Sequence, residues 1–144
     1  MRIVLTVYII SILVLISIED CRCYRIPDLA VLALCGAGFF TGFDLAAAAI
    51  PLAAFGITAA LCAALGASMP CGAGDAKLLS AFGLIGGLRA LALSFCVAGL
   101  SAGIFAAVLL LAKRKEKKDR IPFGPFLSLG FLFCLTGLYQ SPVY

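Results

Sequence analysis

LRALALSFCVAGLSAGIFAAVLLLA, residues 88–112, runs directly into KRKEKKDR, residues 113–120, and this junction decides the architecture. The first part carries a single charge, Arg89, near its start. It is long enough to cross the roughly 30 Å of a bilayer's hydrocarbon as a helix. The second part is dense in Lys and Arg. An apolar helix that stops against a cationic block is what a membrane boundary requires.

The rest of the chain agrees with that reading. It has 144 residues, 64% of them hydrophobic and 12% charged, and a mean hydropathy of +1.17. An ordinary soluble domain is about 45–50% apolar and about 25% charged, so the solvent for most of this surface is lipid. Working outward from residues 88–112, five further apolar runs are expected as spans. They are Ile3–Ile18, Leu29–Phe43, Leu45–Ala67 with Pro51 as a kink, Ala76–Gly87, and Ile121–Tyr139. The expected fold class is an all-α membrane protein, a polytopic bundle of about six transmembrane helices forming one domain over residues 1–144. The first run reads as a span and not a cleaved signal, because it is long for a signal core and no small-residue cleavage site follows it. Abundant Ala and Gly suit close helix approach.

Charge orients the bundle. Suppose the segments 19–28, 68–77 and 113–120 share one side. That side then holds Arg22, Arg25, Lys77, Lys113, Arg114, Lys115, Lys117, Lys118 and Arg120, and the other keeps Arg2 and Arg89. The positive-inside rule makes the first side cytoplasmic. Asp20 at the end of the first span and Asp75 at the start of the fourth then fall at the same face, as does Ile121-Pro-Phe-Gly-Pro-Phe126.

The absence of His excludes a Ser/His or Cys/His catalytic pair and a His metal site. The seven cysteines mostly sit singly in apolar runs and read as packing residues. Cys21-Arg-Cys23 lacks the spacing of a zinc site. Seven acidic residues remain. Glu116 and Asp119 belong to the basic loop, and Asp44 reads as an interface residue or helix cap. Glu19, Asp20, Asp28 and Asp75 lie at span ends on one face, where ionisable groups beside hydrocarbon are functional candidates. Gly72-Ala-Gly74 before Asp75 lets the backbone turn tightly and a substrate strand approach. Two carboxylates sharing one proton can activate water against a peptide carbonyl without a Ser or Cys nucleophile.

Three segments now resemble one family. Asp20-Cys-Arg-Cys-Tyr-Arg25-Ile-Pro27-Asp28 is similar to its aspartate at a helix end, followed by a basic residue, an aliphatic, Pro, and Asp or Asn. Gly72-Ala-Gly74-Asp75-Ala-Lys77 is similar to its GxGDxK signature, and Ile121-Pro122-Phe123-Gly124-Pro125-Phe126 to its third segment. The chain thus resembles the type IV prepilin peptidases, intramembrane aspartic peptidases of GxGD type. The resemblance implies an inner-membrane enzyme with Asp20 and Asp75 as the catalytic pair. It implies an active-site loop around Gly72, Gly74 and Lys77, with substrate or structural roles for Pro27, Asp28, Pro122, Gly124 and Pro125. It implies no metal and no organic cofactor. The implied partner is a prepilin or pseudopilin whose basic leader is cut at the cytoplasmic face. Lys77 could tune Asp75 or anchor its helix at the membrane interface.

The longer, bifunctional members carry an N-terminal region with C-x-x-C pairs linked to N-methylation. This chain resembles the short, peptidase-only form, so methyltransferase activity is not expected. Two other readings stand beside this one: a small transporter with interfacial aspartates, and a non-catalytic assembly protein of a pilus or secretion system. No nucleic-acid partner is expected. The basic loop reads as a topology anchor, with anionic lipid as its alternative ligand.

Overall fold

The computed structural model describes residues 2–41, 44–66, 72–112 and 122–140. The segment 68–71, Ile121 and the basic loop 113–120 with Glu116 and Asp119 lie outside the described residues. Five helices follow in order: α1 Arg2–Cys23, α2 Asp28–Gly38, α3 Leu45–Leu65, α4 Ala73–Leu111 and α5 Gly124–Gln140. The described residues contain no strand.

Helix α1 is longer than the apolar run that announces it. It continues past Ile18 through Glu19 and Asp20 to Cys23, 22 residues in all, or about 33 Å of helix. The reason lies in its buried positions. Ile9, Leu13, Ile16 and Asp20 are all inside the bundle, spaced by four, three and four residues, so they form one face of the helix. Asp20 is the last member of that stripe and not part of a loop, which corrects the expected boundary. The helix ends at Tyr24, whose φ of 51° is left-handed and whose N–H donates to the Asp20 carbonyl at 3.0 Å.

Helix α2 is shorter than expected. It stops at Gly38, and the Phe40 and Thr41 amides turn back onto the Ala37 and Gly38 carbonyls at 3.0 and 3.1 Å. Helix α4 is 39 residues long, near 58 Å if straight and about twice the hydrocarbon thickness. It is not straight. Gly87 has φ 68° and ψ −171°, a conformation that only glycine adopts at low cost. The break falls where the fourth expected span gives way to the fifth.

Three helices are long and apolar enough to cross a membrane: Ile3–Cys23, Leu45–Leu65 and Ala73–Leu111. Two apolar helices are shorter, Asp28–Gly38 and Gly124–Thr136. Length alone therefore does not reach about six crossings. The outer surface is apolar all round: Ile3, Leu29, Leu65 and Leu111 are each at least 74% exposed. Such a surface fits lipid and not water.

The packing order places the site. Helix α1 packs on α2 and α5, and α4 packs on α2, α5 and α3. Helices α1, α2, α4 and α5 thus form a ring, with α1 and α4 on its diagonal and α3 outside against α4. The core inside the ring draws on all four helices, including Leu13, Ile16, Leu34, Leu78, Phe82, Leu127 and Phe131. The Phe82 and Phe131 rings stack at 4.1 Å and 5°. On the outer side, Pro51 lies inside α3 and withdraws the amide that would bond the Ala47 carbonyl. That carbonyl lies against Gly83 of α4, where a Cβ would stand only 2.7 Å from it. Gly130 of α5 likewise meets the Ser94 backbone of α4. Both glycines let backbones approach closely.

Candidate active site

Four helix ends meet at one end of the ring: the C-terminal turn of α1 and the N-termini of α2, α4 and α5. Two polar contacts and one apolar contact tie them together. The Gly124 N–H at the start of α5 donates to Asp20 Oδ2 at 2.8 Å. Lys77 Nζ in α4 donates to Asp28 Oδ1 in α2 at 2.7 Å. Gly74 faces Ile26 of the α1–α2 turn so closely that a Cβ would stand 3.1 Å from the Ile26 Cβ.

Asp20 reaches this end along an otherwise apolar stripe and is 6% exposed. Asp75 arrives from the diagonal helix. It sits in the first turn of α4, half-buried, one turn before the buried Leu78 and Leu79 and two before Phe82. Asp20 therefore heads an inward-facing stripe, whereas Asp75 opens a stretch of α4 that is buried on every side from Leu78 to Ile85, and the two helices are opposed across the core. The Cα atoms of α1 and α4 nowhere come within 8 Å of each other, so the two aspartates reach this end on helices that do not pack directly together. Three helix N-termini at this end contribute partial positive charge, which offsets part of the cost of placing carboxylates beside hydrocarbon.

The remaining expected site residues fall at the same end. Gly72 is the N-cap of α4 with φ −79° and ψ 145°, a conformation open to any residue. Gly74 is helical. Neither supplies the tight turn expected of it; Gly74 supplies space against Ile26. A Cβ on Gly72 would stand 3.4 Å from Asp75 Oδ2, an ordinary contact. Pro27 caps α2 through its carbonyl, which accepts from the Ala30 and Val31 amides at 3.1 and 3.3 Å. Lys77 pairs with Asp28, which ties the first turn of α4 to that of α2. Pro122 and Pro125 are half-buried and flank the buried Gly124.

Ile26 is the residue that sequence reasoning missed. It occupies the aliphatic position before Pro27, and that position was its only signal. Asp44 lies at the other end of α2 and α3. It accepts from the Ala47 amide at 3.0 Å, the cap expected of it. Among the described cysteines, Cys134 is buried, Cys35 and Cys62 are half-buried, and Cys21, Cys23 and Cys96 are exposed.

Comparison with known proteins points one way. The model of a family described as the type IV leader peptidase family matches residues 7–107. A prepilin leader peptidase/N-methyltransferase of Pseudomonas aeruginosa is 36% identical over 67 residues, covering 46% of this chain and 23% of that protein. Its namesake in Aeromonas salmonicida is 37% identical over the same length and shares. The one in Xanthomonas campestris pv. campestris is 34% identical over 58 residues, covering 40% of this chain and 20% of the relative. The chain thus matches less than a quarter of the length of each of these relatives. No solved structure matches it.

Proposed function

Since this chain belongs to the type IV leader peptidase family, we propose that it is a membrane aspartic endopeptidase that removes the basic leader of a prepilin or pseudopilin, with Asp20 and Asp75 as its catalytic pair. The observation that supports this reading is the arrival of both carboxylates at one end of the ring, on diagonally opposed helices.

A peptide strand and one water between them would meet a carboxylate from either side. The pair holds one proton. The ionised member takes a proton from the water as its oxygen adds to the scissile carbonyl. The protonated member donates to the carbonyl oxygen. Collapse of the tetrahedral adduct breaks the C–N bond, and the departing nitrogen takes a proton from the pair. The exposed Glu19 at the rim gives a basic leader one further negative group to lie against, while Asp28 is already paired with Lys77. This end is cytoplasmic on the reading that gathers nine of eleven cations there. On the same reading, the chain crosses the inner membrane about six times. The Gly87 break divides α4 into two crossings, and the shorter α2 and α5 each supply one.

Co-expression with a type IV prepilin tests the reading. The leader should be lost with the wild-type protein, visible as a gel shift. Asp20→Asn and Asp75→Asn should each reduce cleavage by about 10³-fold or more, the scale of a lost acid–base group, with the variants still present in the membrane. Continued processing by either variant would reject the pair.

A further inference from the structure

We propose that Gly124 is a positioning residue for this reaction: α5 begins in such a way that one amide, and no side chain, meets Asp20 and sets its carboxylate opposite Asp75. The inference rests on the proteolytic reading above and goes beyond it.

A helix start leaves its first amides without partners inside the helix. The start of α5 is unusual in how few of them remain. The Phe126 and Leu127 amides both donate to the Phe123 carbonyl at 3.1 Å. Pro125 has no amide hydrogen. Phe123 precedes the helix, and its side chain cannot accept a hydrogen bond. Between Gly124 and Leu127, a single donor is therefore left pointing out of the helix. It is the Gly124 N–H, and Asp20 Oδ2 receives it at 2.8 Å across 104 residues of sequence. Any other residue at 125 would place a second donor beside the first and give the carboxylate a choice of positions.

Space is restricted as strongly as hydrogen bonding. A Cβ at Gly124 would stand 2.8 Å from Asp20 Oδ2 and 3.1 Å from both its Cβ and Cγ. The positive-φ glycines among the described residues are Gly66 and Gly87, so the backbone at Gly124 does not itself demand glycine. The demand comes from Asp20. A side chain there would displace the carboxylate or lift α5 from it. Asp20 cannot yield outward, because it is buried at the end of the α1 stripe. The glycine and the proline after it thus act on the aspartate's location, and only through it on the chemistry.

Two changes separate the two demands. Gly124→Ala adds bulk and keeps the donor. Replacing the Gly124 residue with glycolic acid turns its amide into an ester, which removes the donor and adds no bulk. The full-length protein carrying each change is assayed for leader cleavage of a prepilin, beside wild type and Asp20→Asn, and normalised to folded enzyme. Each change is expected to lower kcat by about 10- to 100-fold, the effect of a misplaced reacting group, with KM held within about twofold.

Suppose wild type cleaves, Asp20→Asn does not, and both Gly124 changes leave kcat where it was, or lower kcat only together with a rise in KM. The positioning role is then wrong and the peptidase reading survives. Changes that only reduce the amount of folded protein overturn it in the same way. If Gly124→Ala does not fold, the ester alone decides. If wild type cleaves no prepilin, or Asp20→Asn still cleaves, the peptidase reading fails and takes this inference with it.

Discussion

Asp20 and Asp44 each help to start a helix, at opposite ends of the bundle, and the contrast between them separates structure from function. Asp44 accepts from Ala47, three residues further along its own chain, at 3.0 Å. It is half-buried beside the Gly87 break, and its own amide donates to the Leu84 carbonyl at 3.2 Å. Everything it does is a local cap plus one tie between helices. Asp20 accepts at 2.8 Å from an amide in another helix and sits where an apolar residue would complete its stripe. A cap accounts for Asp44 entirely. For Asp20, folding alone would be served as well by leucine in the stripe and a serine or aspartate before α5. The surplus cost of a buried carboxylate at that end is what a catalytic role explains.

The largest effect that can break this contrast is in rate. The same Asp→Asn change should cost about 10³-fold or more in cleavage at Asp20. At Asp44 it should leave cleavage near wild type, since Asn caps a helix as well as Asp does. Equal losses at both positions, in a leader-processing assay normalised to folded protein, would show that the two ends do not differ in kind.

Next in size is a pure packing change away from the site. Gly83→Ala would place a methyl group 2.7 Å from the Ala47 carbonyl, which is backbone and cannot swing aside. The helices α3 and α4 must part, at about 1–3 kcal/mol. Thermal unfolding in detergent should show the loss, with cleavage per folded molecule near wild type. Smaller still is Asp44→Ala, which removes one cap and should cost about 1 kcal/mol on the same unfolding measurement while cleavage per folded molecule is kept.

Much of this was legible before the fold was seen. The division at Gly87 shows as glycines between two apolar runs, and Asp44 before the Ala-rich α3 is a cap signal. The placement of Asp20 and Asp75 at one end followed from counting two apolar runs between them. What was not legible depends on distant partners. Charges at Glu19, Asp20 and Arg22 look like a turn, yet α1 continues through them because its inward face continues to Asp20. The four–three–four spacing was present in the sequence, but its last member is polar and broke the hydrophobic pattern. Gly74 looked like part of a tight turn, whereas its neighbour is Ile26, 48 positions earlier. No local signal announces that Gly124 must be bare because of a residue in α1.

Lys77 and Asp28 give the smallest expected effect and the sharpest use of it. Their 2.7 Å contact is short, but the side chains are 45% and 76% exposed. Water competes for both, and such pairs contribute about 0.2–1 kcal/mol. The N-termini of α2 and α4 are also held together by Ile26 against Gly74, which needs no charge. Lys77→Met should therefore lower stability by no more than about 1 kcal/mol and reduce cleavage only modestly. Asp28→Lys combined with Lys77→Asp should recover what either single reversal loses. A loss near that of Asp75→Asn, with folding intact and no recovery in the double reversal, would mean that Lys77 acts on Asp75 itself. The boundary between anchoring and chemistry would then run through the first turn of α4, between Asp75 and the next residue on its face, and not between the two ends of the bundle.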